Sequence, residues 1–350
     1  MSEATFRPAW WVPGAHTQTL WGKLVRARPN LPVHLERWAT PDDDFIEVYR
    51  LDAEPRAPRL ILLHGLEGTI RSHYLGGLLS EAYRRNWGAD VLMFRGCGTE
   101  MNHAPRFYHS GETTDLAFVT TRVMLEFPKA PLFLCGVSLG GNVLLKWLGE
   151  RGESLPARIR AAAPVSVPFD LEQGSRYISR GFARVYERHF LRSLRRKAVA
   201  KLERYPGLFD LSALERAQTL YDFDDVVTAP VHGFLDAHDY YTQSSSLRFL
   251  QRIRRRTLLL SAFDDPFLPR GALEDARRAA SGNPHLVVEF SPHGGHVGFV
   301  CGRLPFRPQY YIDRRIGAFF EEALAQQKPL HSRPTSAHTR ARTVPEGPTP

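Results

Sequence analysis

Ser138 stands between spaced glycines in Gly136-Val137-Ser138-Leu139-Gly140. The residues before it, 130–135, form a short apolar run that reads as a buried strand, and 141–148 read as the start of a helix. In a strand–turn–helix setting this spacing makes a nucleophile elbow. The serine then sits on a strained turn, and side chains at the flanking glycine positions would collide with the neighbouring strand and helix. The turn pushes the hydroxyl past the sheet edge to a helix N-terminus, where free N–H groups and the helix dipole favour developing negative charge. An incidental serine in a glycine-rich turn gives the same pentapeptide, so the chemistry depends on its partners.

A serine hydroxyl needs a base, and the base needs an orienting group. His296 is the expected base. It lies in Ser291-Pro-His-Gly-Gly-His-Val-Gly-Phe299, directly after an apolar run. The two glycines before it let a loop approach the elbow, and Val297 and Phe299 can anchor it from behind. His293 competes for the role and reads better as a surface histidine. Asp265 is the expected orienting acid. Ala262, Asp265 and Pro269 fit a spacing common for this acid: a small residue, two variable ones, Asp, three more, then Pro. Asp264 is expected to cap the turn instead. The oxyanion of an acyl-transfer intermediate needs two N–H donors. Leu139, next after the serine, supplies one, and Leu66, in the loop opened by His64-Gly65, supplies the other. The chain order Ser138, Asp265, His296 is that of α/β-hydrolases.

These residues need a scaffold that gathers strand ends. Residues 33–39 and 45–51 alternate as an antiparallel hairpin would. Apolar runs at 59–63, 90–94, 130–135, 159–167, 257–261 and 286–290 alternate with helical patterns near 73–86, 112–127 and 312–326. That alternation predicts a mostly parallel sheet flanked by helices, with the chemistry at the carboxyl ends of the strands. His64, Ser138, Asp265 and His296 all fall just past such runs. The alternation breaks at about 168–240, a helical, Arg-, Tyr- and Phe-rich stretch expected to form an inserted lid. Residues 328–350 are polar and Pro-rich, and disorder is expected there. The expectation is one domain over 1–325.

The chain has 350 residues, 43% of them hydrophobic, with a net charge of +9. No metal-type spacing, G-x-G-x-x-G or Walker pattern follows a strand, so no metal or other cofactor is expected. The charge alone would allow nucleic acid, but no aromatic-basic repeat or nucleic-acid motif supports it. Cys97, Cys135 and Cys301 do not read as a disulfide framework. With no signal-peptide pattern at the start and no apolar run of membrane-spanning length, the expected location is the cytoplasm. Arg176, Arg180, Arg184, Arg188 and Arg192 recur every four residues and predict a basic stripe on a helix. The stripe reads either as a solvated face or as a contact with anionic lipid headgroups or a phosphate-bearing substrate. The interleaved Phe182, Val185, Tyr186, Phe190 and Leu191 are expected to cover the active-site mouth and to suit an acyl chain.

Taken together, His16-Thr-Gln-Thr19, His64-Gly-Leu-Glu-Gly68, Arg95-Gly-Cys-Gly98, Tyr108-His-Ser-Gly-Glu112, Gly136-Val-Ser-Leu-Gly-Gly-Asn142, Asp264-Asp-Pro-Phe267 and Gly294-Gly-His-Val-Gly-Phe299 carry a resemblance to the YheT-like branch of the α/β-hydrolases, over roughly 5–325. The resemblance implies a Ser-Asp-His hydrolase fold with a helical lid, here Ser138, Asp265 and His296. It also implies hydrolysis of carboxylic esters, with short-chain esters and acylglycerol-type lipids as substrate classes. The same triad would serve a thioesterase or amidase, and a non-catalytic lipid- or membrane-binding protein on a hydrolase scaffold is the rival from another class.

Overall fold

The computed structural model describes residues 6–326. The tail expected to be disordered lies outside the described residues. An eight-stranded sheet runs in the order β1-β2-β4-β3-β5-β6-β7-β8. Its strands are β1 (Val33–Ala39), β2 (Phe45–Leu51), β3 (Arg59–Leu63), β4 (Gly88–Met93), β5 (Leu132–Val137), β6 (Ile159–Val165), β7 (Thr257–Ala262) and β8 (Leu286–Ser291). The hairpin β1–β2 is antiparallel, β2 pairs antiparallel with β4, and every other pairing is parallel. The apolar runs of β3, β5 and β7 are buried along their whole length, while the edge strand β8 is half-buried. Continuous apolar strands follow from helices covering both faces of a parallel sheet.

Helix α1 (Ala15–Val25) precedes the sheet, α2 (His73–Arg84) follows β3, α3 (Thr114–Glu126) precedes β5, and α4 (Leu139–Arg151) follows it. Between β6 and β7 come α5 (Leu171–Ile178), α6 (Arg184–Arg204), α7 (Leu211–Arg216), α8 (Leu220–Phe223), α9 (Ala229–His232) and α10 (Ala237–Ser244). Helices α11 (Arg270–Ala280) and α12 (Tyr311–Ala325) complete the set. The inserted helices bury small cores of their own, one of them around Leu191, Ala198, Leu214, Phe223 and Val227.

The insertion departs from expectation in three ways. Its helices continue to Ser244, and a 3-10 turn follows at Ser246–Arg252. The arginine stripe does not lie on one helix, because Gly181 turns the chain at φ +52° and separates Arg176 on α5 from Arg184, Arg188 and Arg192 on α6. Arg176 pairs with Glu172 instead. Leu191 packs in the insertion's own core rather than over the active-site mouth.

Candidate active site

Ser138 follows β5 and opens α4 with φ +54° and ψ −121°, the strained turn that the spacing predicts. Such a conformation costs about 1–3 kcal/mol and persists only where its surroundings enforce it. Here close approach enforces it. A Cβ at position 136 would sit 2.3 Å from the Gly140 carbonyl oxygen, and one at position 140 would sit 2.5 Å from the His64 carbonyl oxygen.

His296 reaches the elbow from the loop after β8. Its Nε2 lies 3.0 Å from Ser138 Oγ, and its Nδ1 lies 2.8 Å from Asp265 Oδ2. A carboxylate at Nδ1 fixes the proton on that nitrogen and leaves Nε2 free to accept the serine proton. Asp265 is 1% exposed and also accepts from the Phe267 N–H at 2.8 Å. The structure therefore brings Ser138, His296 and Asp265 together in one hydrogen-bonded row. Asp264 is not in that row. It accepts from the Gly295 N–H at 2.9 Å and faces His293 at 3.3 Å, so it braces the histidine loop rather than the His296 ring. His293 is exposed.

The loop after β3 lies directly against the elbow, since a Cβ on Gly65 would sit 3.1 Å from Ser138 Cβ. The Gly65 N–H donates to Tyr74 Oη and the Glu67 N–H to Tyr108 Oη, at 2.9 and 2.8 Å. Among the described residues, the amides of Leu66 and Leu139 make no such bond. His64 shapes this loop. Its Nδ1 donates to the Gly65 carbonyl at 2.7 Å and its Nε2 accepts from the Phe94 N–H at 3.1 Å. Complete burial lowers its pKa to about 4, so it stays neutral and holds both bonds.

Several residues that support the site carried no role in the sequence reading. Thr19 Oγ1 accepts from the His296 N–H at 2.9 Å, and Ser166 Oγ accepts from the Val297 N–H at 3.1 Å. Gln18 donates to the Val12 and Val300 carbonyls and accepts from the Val300 N–H, stapling α1 to the histidine loop. Phe267 stacks on the His296 ring at 4.1 Å between centroids. The His16-Thr-Gln-Thr19 and Asp264-Asp-Pro-Phe267 stretches were visible as motifs, but only the fold shows what they touch. Val297 and Phe299, next along the loop from His296, are buried.

Ser138 and His296 open into a cavity of about 820 Å³, in the upper part of the range for small-molecule sites. Its inserted wall includes Phe182, Val185, Tyr186, Phe190 and Leu194. The same wall carries Asp224, which accepts from Thr228 Oγ1 at 2.5 Å and Tyr241 Oη at 2.7 Å. Burial raises this carboxyl to about 6, against the two hydrogen bonds. Among the described residues no cluster of His, Cys, Asp and Glu could hold a metal ion. No helix there is long and apolar enough to cross a membrane.

The strand order, the elbow after β5, and an acid and a histidine after the following strands define an α/β-hydrolase architecture. The sequence profile of the alpha/beta hydrolase fold matches residues 58–301. YheT of Escherichia coli (strain K12), named as a candidate esterase, is 39% identical over 320 residues, covering 90% of this chain and 92% of that protein. The chain belongs to the α/β-hydrolase family, in its YheT-like branch. It is also similar to the mouse phospholipase ABHD3, with 29% identity over 91% of this chain and 78% of that protein. The monoacylglycerol lipase of Saccharomyces cerevisiae is 30% identical over 75% of this chain and 58% of its own length. Among solved structures, the Pyrococcus furiosus esterase Pf2001 shares the fold at a TM-score of 0.54 and 15% identity, covering 85% of this chain and 97% of that one.

Proposed function

We propose that this esterase- and lipase-type hydrolase cleaves carboxylic esters through an acyl-enzyme on Ser138. The observation that carries the reading is the row from Ser138 Oγ through His296 to Asp265, at 3.0 and 2.8 Å, opening into a largely apolar cavity. His296 Nε2 takes the hydroxyl proton as Oγ attacks the ester carbonyl carbon. The Leu66 and Leu139 amides stabilise the oxyanion. The C–O bond to the alcohol then breaks, and His296 returns its proton to the leaving oxygen. Water, deprotonated by His296, attacks the acyl-enzyme; the acid leaves and Oγ is reprotonated. Asp265 keeps the imidazole oriented and stabilises its charged form.

Short-chain esters and acylglycerol-type lipids are the proposed substrates. The aromatic and aliphatic inserted wall suits an acyl chain, and relatives named as a phospholipase and a monoacylglycerol lipase fit that class. The insertion over 168–240 acts as the lid. Phe182 and Val185 at the cavity wall are exposed beside the exposed Arg184, Arg188 and Arg192, an arrangement suited to peripheral contact with an anionic lipid surface. Three unpaired cysteines fit a cytoplasmic, reducing setting.

Hydrolysis of p-nitrophenyl esters of increasing acyl length tests the reading. Turnover that collapses in Ser138→Ala and His296→Ala supports it, and the chain-length profile sizes the cavity. Turnover that persists in Ser138→Ala, or is absent from the folded wild type, removes it. Faster turnover of matched thioesters or amides would move the assignment to the thioesterase or amidase form of the same mechanism.

A further inference from the structure

Glu67 follows the expected oxyanion donor Leu66, and its backbone has φ +53°. Glycine is the residue that adopts this conformation freely, and glutamate is a poor choice for it. The side chain explains the choice. Glu67 Oε1 accepts from Tyr108 Oη at 2.9 Å and from Lys197 Nζ at 2.7 Å, and Oε2 accepts from Ser193 Oγ. Tyr108 Oη in turn accepts from the Glu67 N–H, so the residue is held at both its backbone and its carboxylate. Ser193 and Lys197 lie four residues apart on α6, one turn of the inserted helix. Both side chains of the Glu67–Lys197 pair are largely buried. The Lys197 ammonium also contacts Cys97 Sγ at 3.2 Å.

The same helix reaches the other half of the site. Tyr186 Oη lies 3.1 Å from His16 Nδ1 on α1, the helix whose Thr19 holds the His296 backbone. The Tyr186 ring also packs on Phe267, which stacks on His296. Helix α6 thus touches the supports of both the oxyanion loop and the base.

We propose that α6 is part of the catalytic frame, and that Glu67 is the positioning residue through which Ser193 and Lys197 hold the Leu66 amide in its oxyanion-binding place. This rests on the ester-hydrolase reading. On this account the insertion is no detachable cover, because moving α6 away releases the loop that stabilises the transition state. A misplaced donor weakens transition-state binding and leaves substrate binding nearly unchanged.

The test compares wild type with Glu67→Gly, Glu67→Gln, Lys197→Met and Lys197→Arg. It reads kcat and KM on p-nitrophenyl butyrate, and the affinity of an alkylboronic acid that forms a tetrahedral adduct on a serine. Glu67→Gly relieves the backbone conformation and deletes the tether, so it separates the two roles. The expected result is a loss of about 10–100-fold in kcat, smaller than deletion of an oxyanion donor, with KM within about twofold and boronate affinity falling in parallel with kcat/KM. Lys197→Met is expected to act similarly, Lys197→Arg to recover much of the loss, and Glu67→Gln/Lys197→Met to lose no more than the larger single change. Wild-type kcat in Glu67→Gly would overturn the inference, as would a loss confined to KM or independent, additive losses in the double variant. Should Glu67→Gly fail to fold, the Lys197 pair and the double variant decide the matter. The boronate reading needs no turnover. A wild type that binds boronate yet cleaves no ester would therefore remove the ester reading while the affinity ratios still judge Glu67.

Discussion

The strand-end loops and the inserted helices face each other across the cavity, and they are built differently. The loops concentrate backbone strain. Glu67, Ser138, Ser166, Val297 and Phe299 all have positive φ without being glycine, whereas no non-glycine residue between 168 and 256 does. The inserted side holds no such residue, although it too carries buried charge and hydroxyl groups. Lys201 is fully buried and donates to the Asn102 and Ala104 carbonyls at 2.8 Å each, with burial lowering it to about 8. Glu187 is buried and accepts from Ser179 Oγ and the Leu220 N–H. Strain that survives at a reacting group is held there by its surroundings, which here are tight glycine contacts and side-chain acceptors. The inserted wall shapes the space without a left-handed residue other than glycine. Ser193 and Lys197, on its helix α6, reach into the strained side.

The sharpest break between the two sides is chemical. Ser138→Ala and His296→Ala should each lower kcat by about 10⁴–10⁶-fold with little change in Tm. Asp265→Asn should cost about 10⁴-fold. Asp264→Ala should cost far less, because it removes a brace on Gly295 and leaves the His296 contact in place. Equal losses at Asp264 and Asp265 in steady-state kinetics would contradict the assignment of the two carboxylates.

The supports of the strained side come next. Thr19→Val leaves the His296 N–H without its acceptor and should lower kcat by about 10–100-fold through misplacement of the base, with KM little changed. A loss in KM alone would place Thr19 in substrate binding instead.

The inserted wall gives a pH-dependent stability effect. The Asp224 carboxyl is raised in the folded protein from 3.8 to about 6. A raised carboxyl destabilises the fold as pH climbs past the unfolded value, with the penalty growing between about pH 4 and 6 and complete above that. Asp224→Asn should therefore stabilise the protein by about 1–3 kcal/mol at pH 8 and by almost nothing at pH 4. Denaturant unfolding at the two pH values checks this, and equal effects at both would show that the Asp224 charge is not the cause.

The smallest effect belongs to the outer face of the insertion. Replacing Arg184, Arg188 and Arg192 with Gln should change turnover of a soluble ester less than about twofold. The same change should abolish salt-sensitive binding to anionic vesicles. Unchanged vesicle binding would remove the proposed membrane contact.

The framework was readable because its signals are local. Apolar runs, glycine spacing around Ser138 and the spacing of Ala262, Asp265 and Pro269 each fall within a few residues. They were enough to choose His296 over His293 and Asp265 over Asp264 as candidates. The supports were not readable in the same way. Thr19 lies 277 residues from His296, and Lys197 lies 130 from Glu67. No local pattern says that these pairs meet. The arginine spacing misled for a related reason, since a four-residue repeat implies one face only while the helix continues, and α5 stops at Ile178 before the turn at Gly181. Leu191 has the same apolar type as its neighbours, and only its orientation on α6 sends it into the insertion's own core.

The central claim is that Ser138 is the nucleophile. The most direct measurement is stoichiometric labelling with a fluorophosphonate, followed by peptide mass spectrometry and residual activity on p-nitrophenyl butyrate. The account predicts one adduct per chain, on Ser138, with activity falling in proportion to labelling and no adduct in Ser138→Ala. Ester turnover that survives complete labelling of Ser138, or an activity-abolishing adduct on another residue, would contradict it.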